Sequence, residues 1–314
     1  MITSSTAPPL ESENVHDFCI SHNRWQAHLS MHLALTKRGT VLKNTSHQGP
    51  LYVQKAFYPE GKDLAHLYIL HPPGGLVSGD KLQINVQADQ HVKVLLTTPG
   101  AGRVYRARAD KILQQQSVSL TAAENASIEW LPLETILYPG ANTRLDTQVK
   151  LAKGASFIGW DICTFGLPAC GETFSSGSLE QCLQIEIEGT VVLRERLVLN
   201  DSNRFLLTAT AGFANRPVNA LMVAGPFTRN DSNTEHAQML AQLQQDCVNH
   251  LDFNEIEIAE LEALTSVTLS GGFILVRYLG HCSEQARNLF TQCWTVLRPS
   301  LLGRPACPPR IWAT

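Results

Sequence analysis

The sequence predicts a mostly β fold in which many short strands form a solenoid-like or layered structure, with two α-helices near the C-terminus. Short apolar or alternating runs recur at roughly 8 to 12 residue spacing between residues 25 and 199, punctuated by Gly, Pro and Asn. Because no helix-length amphipathic run interrupts them, βαβ units are disfavoured. Helical spacing of apolar residues begins later, at residues 233–252 and 283–297.

Composition places the chain among globular proteins, with 44% hydrophobic and 17% charged residues. Residues 1–21 are rich in Ser, Thr, Pro and Glu and are predicted to be a mobile tail, so residues 22–314 form a single β-rich domain. The net charge of -3 argues against a nucleic-acid partner. With no signal-peptide pattern and no apolar run of about 18 residues, we expect a cytoplasmic protein without membrane contact.

The first strand is predicted at Trp25–Thr36, where apolar and polar residues alternate. Its polar face carries His28 and His32, but four residues of strand span about 13 Å, too far for one metal ion to bridge. We therefore interpret both histidines as solvent-facing. Further strands are predicted at residues 51–60, 65–70, 82–86, 92–97, 112–120, 128–131, 143–151, 156–164, 179–187, 191–199 and 273–279.

The last helix has a predicted start and stop. Ser283 is a residue type that caps helix N-termini, and Pro299 is expected to end the helix because proline cannot continue the hydrogen-bond ladder. The eight cysteines contain no CxxC pair, which is typical of reduced thiols rather than of a disulfide framework or a zinc site.

A corner between two predicted strands, residues 71–80, is unusually rich in turn-forming residues. Proline fixes φ, and glycine reaches positive φ and admits close backbone approach. From pattern alone, a structural turn is as good an interpretation as a functional corner. His71 and Asp80 flank the corner, and Asp80 is as well suited to capping its own backbone as to binding a ligand. The corner residues are Pro72, Pro73, Gly74, Gly75 and Gly79.

Two carboxylates lie on apolar faces of predicted strands. Alternation places Glu195 on the same face as Leu193 and Leu197, and Asp161 on the same face as Phe157 and Cys163. An inward carboxylate costs several kcal/mol unless it is paired, hydrogen-bonded or open to internal water.

Three interpretations of these carboxylates stay open on the residues alone. They could form structural ion pairs with an arginine such as Arg144, Arg194 or Arg196. They could instead line a wet passage or cleft. They could also be the acid/base pair of a β-rich, carbohydrate-active hydrolase, which requires about 5 to 9.5 Å between the carboxyl groups.

Several motifs together resemble the urease accessory protein UreD (UreH) family over residues 25–314. They are HPPGGLVSGD at 71–80, LLTTPGA at 95–101, EWLPLET at 129–135, GWD at 159–161, RERL at 194–197 and the stretch 277–312. The resemblance implies a β-rich scaffold with two helices and no enzymatic activity. It also implies binding to UreF, recruitment of the UreG GTPase through UreF, docking on the urease subunits, and passage of Ni²⁺ to the urease active site.

The same resemblance assigns roles to residues. Asp161 and Glu195 match family motif positions and would line the passage, while Asp80 and His71 match the corner and would make transient metal contacts. Oxygen ligands that hold Ni²⁺ weakly suit a transit path, so no tight metal site and no permanently bound cofactor are expected. The chain departs from the family pattern at Ser78 and at residues 102–106, which affects the expected loop conformation around residue 102.

Overall fold

The structure, a computed structural model, describes residues 24–227, 238, 241–246 and 263–313. The predicted tail and most of the first predicted helix lie outside these ranges, although residues 241–246 are helical. The described chain is mostly β, as predicted. Across the described ranges, no helix combines the length and apolar character needed to cross a membrane.

The described part of the fold contains eighteen strands and a long C-terminal helix, Ser283–Leu302. The first nine strands are β1 (Gln26–Thr36), β2 (Gly39–Gln48), β3 (Tyr52–Val53), β4 (Leu64–Leu70), β5 (Lys81–Ala88), β6 (Lys93–Thr97), β7 (Gly102–Val104), β8 (Gln114–Ala122) and β9 (Ser127–Trp130). The others are β10 (Thr135–Leu137), β11 (Asn142–Leu151), β12 (Ser156–Leu167), β13 (Glu172–Thr173), β14 (Ser178–Ile187), β15 (Thr190–Leu199), β16 (Val218–Gly225), β17 (Leu264–Ser270) and β18 (Phe273–Gly280).

The strands form two facing sheets. The first has the order β15-β14-β11-β8-β5-β1-β2, and the main path of the second is β17-β18-β16-β12-β9-β6-β4-β3. From β4 to β14 the long strands alternate between the sheets, and each pairs in parallel with the strand one coil earlier. The middle of the chain is therefore a parallel β-solenoid, in which each coil adds one strand to each sheet. Antiparallel strands close the sheets at their edges.

The coils differ in length. Lys81 of β5 pairs with Gln115, which pairs with Arg144, which in turn pairs with Glu180. These positions are 34, 29 and 36 residues apart along the chain. Unequal coils leave no fixed period in the sequence, although the backbone repeats.

Strand β12 separates two hydrophobic cores. Phe157, Cys163 and Phe165 point between the sheets, as the alternation predicts. Ile158 and Trp160 point to the opposite side, where the C-terminal helix covers the second sheet. A polar residue on the first of these faces is therefore aimed between the sheets.

The predicted ends of the C-terminal helix were both wrong. Cys282, not Ser283, occupies the N-cap position, and Pro299 lies inside the helix, which continues to Leu302. The buried face around Trp294 keeps the last turn helical although proline removes one backbone donor. The helix ends at Gly303, whose φ of 69° places it in the left-handed region that glycine adopts readily.

Candidate functional site

A cleft of about 210 Å³ lies where β14 and β15 face β12, β16 and β18. Glu195 and Arg277 lie in it together with Asn219. At its inner end are Asp161 of β12 and Gln181 of β14.

A second, more enclosed cavity of about 70 Å³ lies between the two sheets. Asp161 and Gln181 line this cavity as well as the cleft, so the two spaces meet at this pair. Gly102 of β7 is also part of its wall, at the position where the chain departs from the family pattern. The cavities thus form two successive spaces, leading from the cleft into the interior between the sheets.

Asp161 is a deeply placed carboxylate that has kept access to the cavities. It is partly exposed, and it lines both spaces. Among the described residues its carboxylate forms no hydrogen bond and no ion pair. Burial raises the pKa of Asp161 to about 6. A carboxylate in this setting favours any cation or proton that enters.

Glu195 points inward, because it pairs with Leu183 across the β14–β15 ladder and shares the face of that residue. It is half-buried and accepts a hydrogen bond from Arg277 Nη2 at 2.7 Å. The ion-pair interpretation therefore holds for Glu195, with a partner that sequence reasoning did not name. It does not hold for Asp161 within the described part of the chain.

The arginines proposed from sequence as ion-pair partners lie elsewhere. Arg144 and Arg196 both bind Glu180, and Arg194 Nε donates to Gln184 Oε1 at 2.9 Å. These side chains lie on the outer face of the first sheet, opposite Leu183 and Ile185. Spacing in sequence gave no means of choosing between them and Arg277.

Gln181 and Cys163 complete the junction of the two spaces. The Cys163 thiol donates weakly to Gln181 Oε1 at 3.7 Å. Burial raises the pKa of this thiol, so it stays protonated and is a poor ligand. Across the described residues no group of three His, Cys, Asp or Glu side chains is placed to hold a metal ion. Asp161 is thus the charged group at the junction.

The structure places Asp80 outside the lining of both spaces. Its carboxylate is buried and accepts hydrogen bonds from the backbone N–H groups of Trp25, at 2.8 Å, and Val77, at 2.9 Å. These contacts attach the start of β1 to the corner. His71 lies nearby, and its pKa is lowered because burial outweighs the opposing charge of Asp80. It too is outside the lining, and its Nε2 is buried without a partner in the described ranges.

The corner needs its glycines for two different reasons. Gly74 has a φ of 72°, where side chains are strained, but a Cβ there would make only an ordinary contact, 3.5 Å from Arg103 Nη1. Gly75 has ordinary φ but no space, because a Cβ would lie 2.7 Å from the backbone oxygen of Arg103. The corner is packed there: Leu76 N–H donates to that same oxygen at 2.8 Å.

We expect Gly75→Ala to lower the free energy of unfolding by about 1 to 3 kcal/mol through overpacking. Gly74→Ala should cost about 1 to 2 kcal/mol through positive φ alone, and the double valine variant should fail to fold. Gly100→Ala is the control, since nothing lies within 4 Å of its Cβ position. Urea unfolding midpoints measure all three alanine variants. If Gly75→Ala matches Gly100→Ala, the corner is not packed as described.

Sequence reasoning missed a buried polar network under the C-terminal helix. Arg298 is fully buried and donates to both oxygens of Glu129, at 2.9 Å each, and to both oxygens of Glu60, at 2.7 and 2.8 Å. Trp294 Nε1 also donates to Glu129, at 2.7 Å. Arg298 follows Trp294 by four residues, so helical spacing on an apolar face was the available signal.

The network attaches the end of the helix to β9 through Glu129 and to the segment before β4 through Glu60. His66 Nε2 of β4 donates to Glu60 Oε1 at 2.8 Å. Although burial alone would raise it, hydrogen bonds from His66 and Arg298 lower the pKa of Glu60 to about 2. The network is therefore structural, and it lies apart from the cleft.

Fold and site together define a β-solenoid protein with a carboxylate-lined cleft that leads to an internal cavity. The model of the UreD urease accessory protein family matches residues 26–313. Urease accessory protein UreD of Marinomonas sp. (strain MWYL1) is 50% identical over 297 residues, covering 94% of this chain and 92% of that protein. Urease accessory protein UreD of Psychromonas ingrahamii is 38% identical over 317 residues, 99% of each chain. The chain belongs to the UreD urease accessory protein family.

Membership removes one of the three interpretations left open by sequence. Proteins of this family are accessory proteins of urease and not enzymes, so the hydrolase interpretation of Asp161 and Glu195 is set aside. Membership also supports a role in urease maturation.

Proposed function

We propose that the protein is the maturation scaffold that binds UreF, recruits the UreG GTPase through UreF, docks on apo-urease in the cytoplasm, and passes Ni²⁺ through its interior. The observation that carries the nickel step is Asp161: a deep carboxylate, unpaired among the described residues, at the point where the cleft meets the inner cavity. Such a group attracts a divalent cation without supplying enough ligands to hold it.

The chemistry of the lining supports transit rather than storage. Carboxylate and amide oxygens from Asp161, Glu195 and Gln181 bind late first-row metals more weakly than clustered imidazoles or thiolates. The nearby thiol of Cys163 stays protonated because burial raises its pKa. A nickel ion would therefore meet weak oxygen donors in succession.

The scaffold role predicts poor behaviour without a partner. Tyr52, Phe57 and Tyr58 are large side chains exposed within seven residues of the chain. Exposed apolar surface that a partner covers in the complex promotes aggregation when the partner is missing. Expressed alone, the protein should be largely insoluble, and co-expression with UreF should raise the soluble yield severalfold.

Affinity pull-down from the co-expressing cells tests the assembly directly. UreF should be retained by the tagged chain, and UreG should be retained only when UreF is present. An unrelated co-expressed protein of similar size controls for general effects on expression. A stable, monodisperse monomer that retains no UreF would overturn the scaffold proposal.

A further inference from the structure

Arg277 of β18 lies in the cleft and donates hydrogen bonds to side chains of two other strands. Its Nη2 donates to Glu195 Oε1 at 2.7 Å, and its Nη1 donates to Thr268 Oγ1 of β17 at 3.0 Å. The guanidinium therefore bridges the lining carboxylate and a neutral hydroxyl on the neighbouring edge strand. Glu195 cannot give the same oxygen fully to a metal ion while Arg277 is bound to it.

The described charged residues that line the cleft are Asp161, Glu195, Arg196 and Arg277. Arg196 is bound to Glu180 at 2.8 Å on the outer face of the sheet. Arg277 is thus the cation that neutralises Glu195. A divalent cation entering the cleft meets its repulsion before reaching Asp161.

The Arg277–Glu195 ion pair can open at little cost in stability. Its side chains are 40% and 33% exposed, and ion pairs with this much water access contribute little to stability. Thr268 gives the guanidinium a second hydrogen-bond partner, so Arg277 remains held when Glu195 is released. Opening the pair therefore needs only a small movement of one side chain.

We propose that Arg277 gates the passage: its guanidinium occupies the Glu195 carboxylate until an entering divalent cation, or a docked partner, displaces it toward Thr268. This inference rests on the proposed nickel passage and adds a residue that controls entry to it. In the closed arrangement Glu195 is neutralised, and the charge of Arg277 repels free metal before it reaches Asp161. In the open arrangement Glu195 and Asp161 both face the cation.

The test is calorimetric titration of Ni²⁺ alone into the full-length chain. The chain is purified from the soluble fraction of the expressing cells, in the same form for every variant. Arg277→Gln should tighten nickel binding about threefold to tenfold, because the competing charge is gone while a hydrogen-bonding side chain remains. Arg277→Lys keeps the charge and should stay within about twofold of wild type. Arg277→Met is the alternative neutral variant if the glutamine variant does not fold, since it keeps an unbranched side chain.

Arg194→Gln is the matched control. Arg194 lies on β15 next to Glu195 but is exposed and bonded to Gln184 on the other face, so its removal changes net charge equally without touching the cleft. It should shift nickel affinity by less than about twofold. In a Glu195→Gln background the Arg277→Gln change should have no further effect, as a gate acting on that carboxylate requires.

The outcomes separate the gate from the passage. If Arg277→Gln and Arg194→Gln behave alike, or the effect of Arg277→Gln persists without Glu195, the gate is overturned while nickel binding that is lost in Asp161→Asn still supports the passage. If wild type and the Asp161→Asn/Glu195→Gln double variant titrate identically, both the passage and the gate are overturned.

Discussion

Replacing Arg298 by alanine should destabilise the protein by about 3 to 5 kcal/mol, the usual cost of removing one partner from a buried ion pair. Arg298 is 0% exposed, and its loss leaves Glu129, which is 1% exposed, without its counter-charge. Glu60 loses two hydrogen bonds from the same guanidinium. Because these contacts join the C-terminal helix to the sheet, the helix should detach first.

Arg287→Ala is the control on the same helix, since Arg287 is only partly buried and lies outside the network. It should change the free energy of unfolding by less than about 0.5 kcal/mol. Urea unfolding, followed by tryptophan fluorescence, reports on Trp294 and Trp312 beside the network. Equal midpoints for Arg298→Ala and Arg287→Ala would show that the buried network does not hold the helix.

The pH dependence of stability in the Arg298→Ala and Arg287→Ala variants follows from the pKa of Glu60. Its pKa in the folded protein is about 2, below its ordinary value of 4.5, so the folded state binds this proton less readily than the unfolded state. The stabilisation is present above pH 4.5 and is lost as pH falls from 4.5 toward 2. Arg298→Ala should therefore flatten stability against pH in that window, whereas Arg287→Ala should follow wild type.

Replacing both Asp161 and Glu195 by alanine should leave folding intact while reducing nickel delivery to urease, with the largest functional effect we expect. The stability argument differs for the two residues. The Arg277 side chain is already 40% exposed and also donates to Thr268, so little stability is lost when Glu195 is removed. Removing Asp161 leaves no described cation without a partner.

Asp161 opposes folding at neutral pH. Burial raises its pKa to about 6 from 3.8, so between these values the folded state holds a proton that the unfolded state releases. Stability therefore falls as pH rises from 3.8 to 6, and removal of the carboxylate relieves this cost above pH 6. A carboxylate that weakens the fold at its own position is expected where function, rather than packing, requires it. Below pH 6 protonation should also reduce nickel passage.

Local periodicity was enough to predict most of the fold and the orientation of the two carboxylates. Alternation in β12 and β15 placed Asp161 and Glu195 on inward faces without any tertiary information. It could not predict that Arg277, 82 residues away from Glu195, would be its partner. That contact depends on how the closing strands fold back over the coil.

Long-range contacts also explain why the sequence did not reveal other features of the structure. Glu129 and Arg298 are 169 residues apart, so nothing near either of them indicates the pair. For Asp80 the sequence left backbone capping and ligand binding both open, and its two oxygens accept from backbone N–H groups of its own turn and of Trp25, which precedes β1. A short turn motif does not distinguish these two uses, because the same carboxylate oxygens can accept from nearby backbone N–H groups or bind a ligand.

The most direct test of the account is nickel content per urease active site after co-expression of urease, UreF, UreG and either wild-type chain or the Asp161→Ala/Glu195→Ala variant. Soluble yield and pull-down with UreF are measured on the same samples, and Arg194→Ala is the control. We predict normal yield and assembly for both variants, with nickel incorporation severalfold lower in the carboxylate variant alone. Full nickel loading by that variant would contradict the passage, and loss of soluble protein would show that the carboxylates serve the fold instead.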